Sequence, residues 1–229
     1  MTLAATEIGD PLFLSLQVGL AATFVGLVPG MALAYWLART RSFLRPWVEA
    51  VVLLPMVLPP VVVGLFLLDW FGTQGFIGGW LFRQFGIRWT FTWAGAALAA
   101  LVMGFPLMVR TMRQAFEAVD PELEEASAVL GAGRWETLTR VTVPLAARGL
   151  IAGATLCFAR SLGEFGATMM FAGNVPGQTS TLSLSIWTAF QAGEDELVWR
   201  LAWVCAGVSV VVTVFCELLV RRRSAGVRP

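Results

Sequence analysis

The sequence predicts an all-α integral membrane protein: five transmembrane helices with a helical hairpin on the inner side. Three observations predict it. Of 229 residues, 57% are apolar and only 14% charged, the mean hydropathy is +0.74, and uncharged runs long enough to cross a hydrocarbon layer of about 30 Å recur along the chain. This composition excludes disordered, collagen-like and disulfide-stapled proteins, and the length fits one membrane domain over residues 1–229.

The first span covers residues 12–38, flanked on its N-terminal side only by Glu7 and Asp10. With no basic residue ahead of it and no clean Ala-x-Ala site behind it, it is expected to stay in the mature protein rather than act as a signal peptide. The second, 48–70, contains Pro55, Pro59 and Pro60, which remove backbone donors and predict a bent helix whose freed carbonyls face protein or a water-lined cavity. The third, 89–110, is uninterrupted except for Pro106. The fourth, 146–172, carries Arg160 and Glu164, and the fifth, 199–220, carries Glu217 just before Arg221, Arg222 and Arg223.

An odd number of spans puts the termini on opposite sides, and arginine decides which is which, because no lysine occurs. Arg39, Arg41, Arg45, Arg110, Arg113, Arg134, Arg140, Arg148, Arg221, Arg222, Arg223 and Arg228 share one side; Arg83, Arg88 and Arg200 share the other. The basic side is cytoplasmic, so the C-terminus is expected in the cytoplasm and the N-terminus outside. Trp36 and Trp47 then fall at the inner interface and Trp70, Trp89 and Trp199 at the outer one, where amphipathic rings sit.

The largest inner connection, 112–145, predicts two short helices. Asp120-Pro121 is a start signal, a capping carboxylate before proline at the first helical position, with Glu122, Glu124 and Glu125 near the positive end of the dipole. Gly131-Ala132-Gly133 predicts a left-handed stop. Leu123, Ala126, Ser127 and Leu130 share one face, as do Trp135, Leu138 and Val141 in the second helix. The hairpin is too small to bury these faces alone, so it packs on its own spans, lies at the lipid surface or docks a cytoplasmic partner. Outside, 71–88 predicts a loop or short interfacial helix, and residues 179–190 a short helix.

With neither histidine nor lysine, a Walker A loop, imidazole-based nucleophilic catalysis and histidine metal sites are excluded. No catalytic or metal-ligating residue is assigned, and any ATP consumed must be bound by another chain. A net charge of +1 gives no attraction to nucleic acid. Cys157, Cys205 and Cys216 lie in apolar runs, where cysteine behaves as a small hydrophobe. Arg160 and Glu164 are four residues apart in a span, where an unpaired arginine would cost about 2.5–3.5 kcal/mol, and are expected on one helix face. Either the two form a structural ion pair, or Arg160 and Ser161 line a polar route for an anion.

The motif Glu125-Ala126-Ser127, three residues, Gly131, nine residues, Val141-Thr142-Val143-Pro144 resembles the Glu-Ala-Ala loop of ATP-binding-cassette (ABC) importer permeases, Glu-Ala-Ala-x3-Gly-x9-Ile-x-Leu-Pro, with small or apolar swaps at Ser127, Val141 and Val143. Other stretches resemble the molybdate permeases: Leu53 through Gly64 (LLPMVLPPVVVG), Phe105 through Arg110 (FPLMVR), Ala159 through Thr168 (ARSLGEFGAT) and Ala172 through Gly177 (AGNVPG). Sulfate and thiosulfate permeases share the Gly163-Glu164-Phe165-Gly166-Ala167 pattern, so tungstate, sulfate and thiosulfate stand beside molybdate as cargo.

The resemblance implies a type I ABC importer permease fold in the bacterial inner membrane. It implies a homodimer, two cytoplasmic ATPase subunits that carry ATP and magnesium, and an extracytoplasmic oxyanion-binding protein; this chain itself would touch only lipid and protein and bind no cofactor. Glu124, Glu125, Ala126, Ser127, Ala128, Leu130, Gly131, Ala132, Gly133 and Pro144 are implied to couple to the ATPase. Arg160, Ser161, Glu164, Pro59 and Pro60 are the candidate translocation residues. A self-contained secondary transporter using Arg160 and Glu164 is the competing class, but no internal repeat supports it.

Overall fold

The computed structural model describes residues 2–222, with side chains described for residues 8–215 and Leu218. Arg223 and Arg228 of the arginine tally therefore lie outside the described residues, as do the side chains of Glu7, Cys216, Glu217, Arg221 and Arg222. Every regular element is helical among the described residues: α1 (Thr2–Arg39), α2 (Arg45–Val57), α3 (Pro60–Phe71), α4 (Phe76–Phe85), α5 (Trp93–Glu117), α6 (Pro121–Val129), α7 (Arg134–Thr137), a π-helical turn (Leu138–Thr142), α8 (Val143–Leu162), α9 (Gly166–Phe171), α10 (Leu182–Ala192) and α11 (Asp195–Arg222).

Four stretches are long and apolar enough to cross a membrane: Ile8–Arg39, Trp93–Glu117, Arg134–Leu162 and Asp195–Phe215. The pair α2 and α3 makes a fifth if counted as one span, bent by 114°. The bend falls at Leu58-Pro59, both extended, before Pro60 restarts the helix. This is the proline break expected within 48–70. Arg45 and Glu49 on α2 pair with Glu117 and Arg113 near the end of α5, whereas Phe71, closing α3, meets Trp89 edge-on just ahead of α5. The bent pair thus links opposite ends of a helix about 37 Å long.

The packed centre is a three-helix unit of α1, α5 and α8. Leu37, Met108, Met112 and Phe116 are fully buried in it, and Tyr35 meets Phe116 edge-on. Glycines bring the backbones together where apolar side chains alone would hold them apart. A Cβ on Gly153 would lie 2.8 Å from Met112 Cγ, and one on Gly104 2.8 Å from Cys157 Sγ. Of these three, Gly149 has the tightest seat, against Ala115 Cβ. We therefore expect Gly149→Val to destabilise the detergent-solubilised protein by about 1–3 kcal/mol, an overpacking penalty; a thermal-unfolding midpoint equal to wild type would show that the seam can open without cost.

Two expectations are corrected. The span drawn over 146–172 is not one helix: the crossing helix begins at Arg134, and α8 stops at Leu162, before Gly163, Glu164 and Phe165 interrupt the chain ahead of α9. The second hairpin helix is not separate either, because α7 runs through the π turn into α8. With no N–H at Pro144 to close the ladder onto Arg140, the preceding turn widens and Val143 N–H donates to Leu138 O. Trp89 is half-buried against Phe71, with its Nε1 shielded and unpartnered.

Candidate functional site

At the end of the bundle where α5 stops and the long Arg134–Leu162 helix starts, α6 forms an elbow. Asp120 caps it, its Oδ1 accepting from Glu122 N–H at 3.0 Å with Pro121 at the first position. Gly131, at φ +90°, stops it: Gly131 N–H donates to Ala128 O and Ala132 N–H to Ser127 O. A β-carbon is strained in that left-handed conformation. Gly133 then caps α7 in an extended conformation.

The elbow presents its apolar residues outward. Val129, Leu130 and Trp135 are 87%, 88% and 75% exposed, and Glu125, Ala126 and Ala128 are exposed as well. α6 stands as a ridge between two grooves. One, of about 730 Å³, is lined by Leu123, Ala126, Ser127, Gly131, Val141 and Pro144; the other, of about 630 Å³, by Tyr35, Glu125, Ala128, Ala132, Trp135 and Leu138. Ser127 and Thr137 hydroxyls lie 3.1 Å apart and tie α6 to α7.

Glu124 also lines the second groove, but its carboxylate is held by the chain's own donors. Its Oε1 accepts from Arg39 Nη2 at 2.7 Å and from Thr142 Oγ1 at 2.8 Å, and Thr142 is fully buried. Arg39 and Thr142 escaped the sequence reading, Arg39 serving only as a topology marker and Thr142 sitting inside the Val-x-Val-Pro motif with no signal of its own. Next to this junction, Arg113 meets Glu117 at 2.9 Å and also pairs with Glu49, bolting α2 to α5.

The second cluster lies at the interruption after α8. Arg160 Nη1 is 2.8 Å from Glu164 Oε2, the arginine side chain 30% exposed and the carboxylate 2%. That contact lacks hydrogen-bond geometry at Oε2, whereas Glu164 Oε1 accepts from Ala167 N–H at 2.8 Å. The pair does not share one helix face, as its spacing suggests; it spans the break, joining α8 to α9. Pro60 is brought to the same place, since a Cβ on Gly166 would lie 2.9 Å from Pro60 Cβ, while Pro59 is exposed at the bend. Ser161 departs from the expected lining: it is buried, its hydroxyl donating to Ala100 O at 3.2 Å in the α5–α8 seam. Among the described residues no cluster of three or more histidine, cysteine or acidic side chains could hold a metal ion.

The family model of binding-protein-dependent transport system inner membrane components matches residues 30–226. This chain belongs to that family. It is 44% identical over 216 residues to the molybdenum transport system permease protein ModB of Escherichia coli K12, covering 93% of this chain and 94% of that one. It is 40% identical to the ModB protein of Haemophilus influenzae, over 91% and 92% of the two chains. The sulfate transport system permease CysT of E. coli K12 is 38% identical over 86% of this chain and 70% of its own length. Among solved structures, a bacterial ABC transporter that imports alginate aligns with a TM-score of 0.75 at 17% identity, covering 94% of this chain and 79% of that one. The MetNI methionine ABC transporter aligns with a TM-score of 0.72 at 18% identity, covering 94% and 95%. The chain therefore has the type I ABC importer permease fold and is a multi-pass membrane transport component.

Proposed function

We propose that this chain is the translocation subunit of an ABC importer that carries molybdate into the cytoplasm, working as a homodimer with two ATPase subunits beneath it and an oxyanion-binding protein on the outer face. The observation that carries the coupling half of this reading is the elbow: apolar Val129, Leu130 and Trp135 stand out from a membrane bundle on an acidic ridge between two grooves. A surface of that kind favours a protein partner over lipid headgroups, which select basic faces. Glu125 through Gly133 is then the coupling helix, with Pro144 at the rim of one groove. The cargo half rests on the relatives named for molybdenum transport, and the CysT relative makes sulfate the competitor.

In this reading the protein spans the inner membrane five times, the bent α2–α3 pair forming one crossing, with the N-terminus outside and the C-terminus in the cytoplasm. ATP and magnesium sit on the ATPase subunits. ATP binding draws those subunits together and moves the elbows, shifting a two-state equilibrium between inward-open and outward-open bundles. Pro59, Pro60, Arg160 and Glu164 border the route; the buried Ser161 supports it from the α5–α8 seam.

The test is reconstitution of the chain with an ABC ATPase and an oxyanion-binding protein from the same organism. The ATPase should co-purify in detergent, and proteoliposomes should take up labelled molybdate only with ATP. Uptake blocked equally by unlabelled molybdate and sulfate would reassign the cargo, and a chain that purifies alone and transports without ATP would be a secondary transporter.

A further inference from the structure

We propose that Glu124 is not a contact for the ATPase but a positioning residue, the fastener that makes the first membrane helix move with the coupling elbow. This rests on the coupling role proposed for α6. Glu124 lies in the middle of α6, yet its side chain is 20% exposed while its neighbour Glu125 faces out. One carboxylate oxygen gathers two donors from two different elements: the guanidinium that ends α1 and the buried hydroxyl of the π turn that opens into α8. The Arg39 guanidinium also reaches Val119 O, at 3.4 Å, in the link between α5 and α6. Charge-assisted bonds of this kind, partly shielded from water, are about twice as strong as neutral ones.

The topology makes this junction matter. α6 is joined covalently to α5 on one side and, through α7, to α8 on the other, but α1 is reached only through space, Arg39 and Glu124 being 85 positions apart in sequence. Among the described hydrogen bonds and ion pairs, Glu124 is the group that ties α6 to α1. α1 is in turn packed along α5 through Gly26 and Gly30, where a β-carbon would crowd Leu101 and Met108. Without Glu124 a push on the elbow reaches α1 only indirectly, through its packing on α5; the carboxylate adds a direct polar link from α6 and from the π turn, where the i→i−4 ladder is opened, to the end of α1. With the fastener closed, α1, α5 and α8 turn as one body.

The experiment uses the whole transporter in proteoliposomes and reads two quantities: ATPase retained on the permease after purification, and molybdate taken up per ATP hydrolysed. Glu124→Gln is expected to keep its ATPase and to lose uptake per ATP about tenfold, the factor that corresponds to about 1.4 kcal/mol. The exchange Arg39→Glu with Glu124→Arg is expected to recover most of that ratio. A residue needed only for stability would lower the yield of assembled transporter and leave the ratio alone. Three results overturn the proposal: Glu124→Gln at the wild-type ratio, Glu124→Gln shedding its ATPase and thereby acting as a docking contact, or the exchange remaining at the Glu124→Gln ratio. A wild-type chain that retains no ATPase would instead overturn the coupling role itself.

Discussion

A Gly131→Leu permease is expected to insert into the membrane in normal amount and to lose ATP-coupled uptake by more than tenfold. The reason is the backbone: Gly131 sits at φ +90°, where a side chain costs about 1–2 kcal/mol, and relaxing that turn would swing Leu130 and α6 off their bearing. Space is not the obstacle within the chain, since nothing lies within 4 Å of a Cβ built there. Two readouts therefore separate. In the thermal stability of the permease alone, Gly131→Ala and Gly131→Leu should fall together, with Gly131→Asn closer to wild type because asparagine tolerates the left-handed region. In ATPase stimulation, leucine should be worse than alanine, because the additional bulk can meet only a surface supplied by another chain. Equal stimulation by all three variants, at the wild-type level, would remove the elbow from the coupling machinery.

What the sequence made legible follows from which interactions are local. The start of α6 at Asp120-Pro121 and its stop at Gly131 depend on residues within one turn of each other, and both stand where the motif puts them. The break in the second span was likewise written in Pro59 and Pro60. Interactions between distant segments were not legible. Nothing in the pattern ties Arg39 to Glu124 or Arg113 to Glu49, because long charged side chains choose partners by three-dimensional neighbourhood. The Arg160–Glu164 pair misled in the opposite direction: its spacing suggests one helix face, but Gly163 ends the helix between them. Ser161, next to Arg160 in sequence, points into the α5–α8 seam because Gly104 leaves room there for its hydroxyl, 3.2 Å from where a Cβ would stand.

That pair gives the second large effect. Arg160→Ala leaves Glu164, 2% exposed, as a buried carboxylate without its counter-charge, and breaking one partner from such a pair costs about 3–5 kcal/mol. Little folded protein is therefore expected from the single variant, and low uptake by it would say nothing about the route. The informative variant is Arg160→Ala combined with Glu164→Gln: glutamine keeps an oxygen to accept from Ala167 N–H and carries no charge to strand. We expect the double variant to recover the membrane yield and to retain its ATPase, while uptake of the oxyanion per assembled transporter stays at least about tenfold down. A structural pair and a transport group differ at this point, because a neutral replacement satisfies the first and not the second. Since the arginine side chain is 30% exposed in a stretch long and apolar enough to cross the bilayer, its open side is expected to face water or protein rather than lipid, and a dianion passing there would meet a positive charge that Glu164 already neutralises, so it would be held only briefly. Uptake by the double variant equal to wild type per transporter would assign Arg160 and Glu164 to holding α9 against the end of α8 and to nothing more.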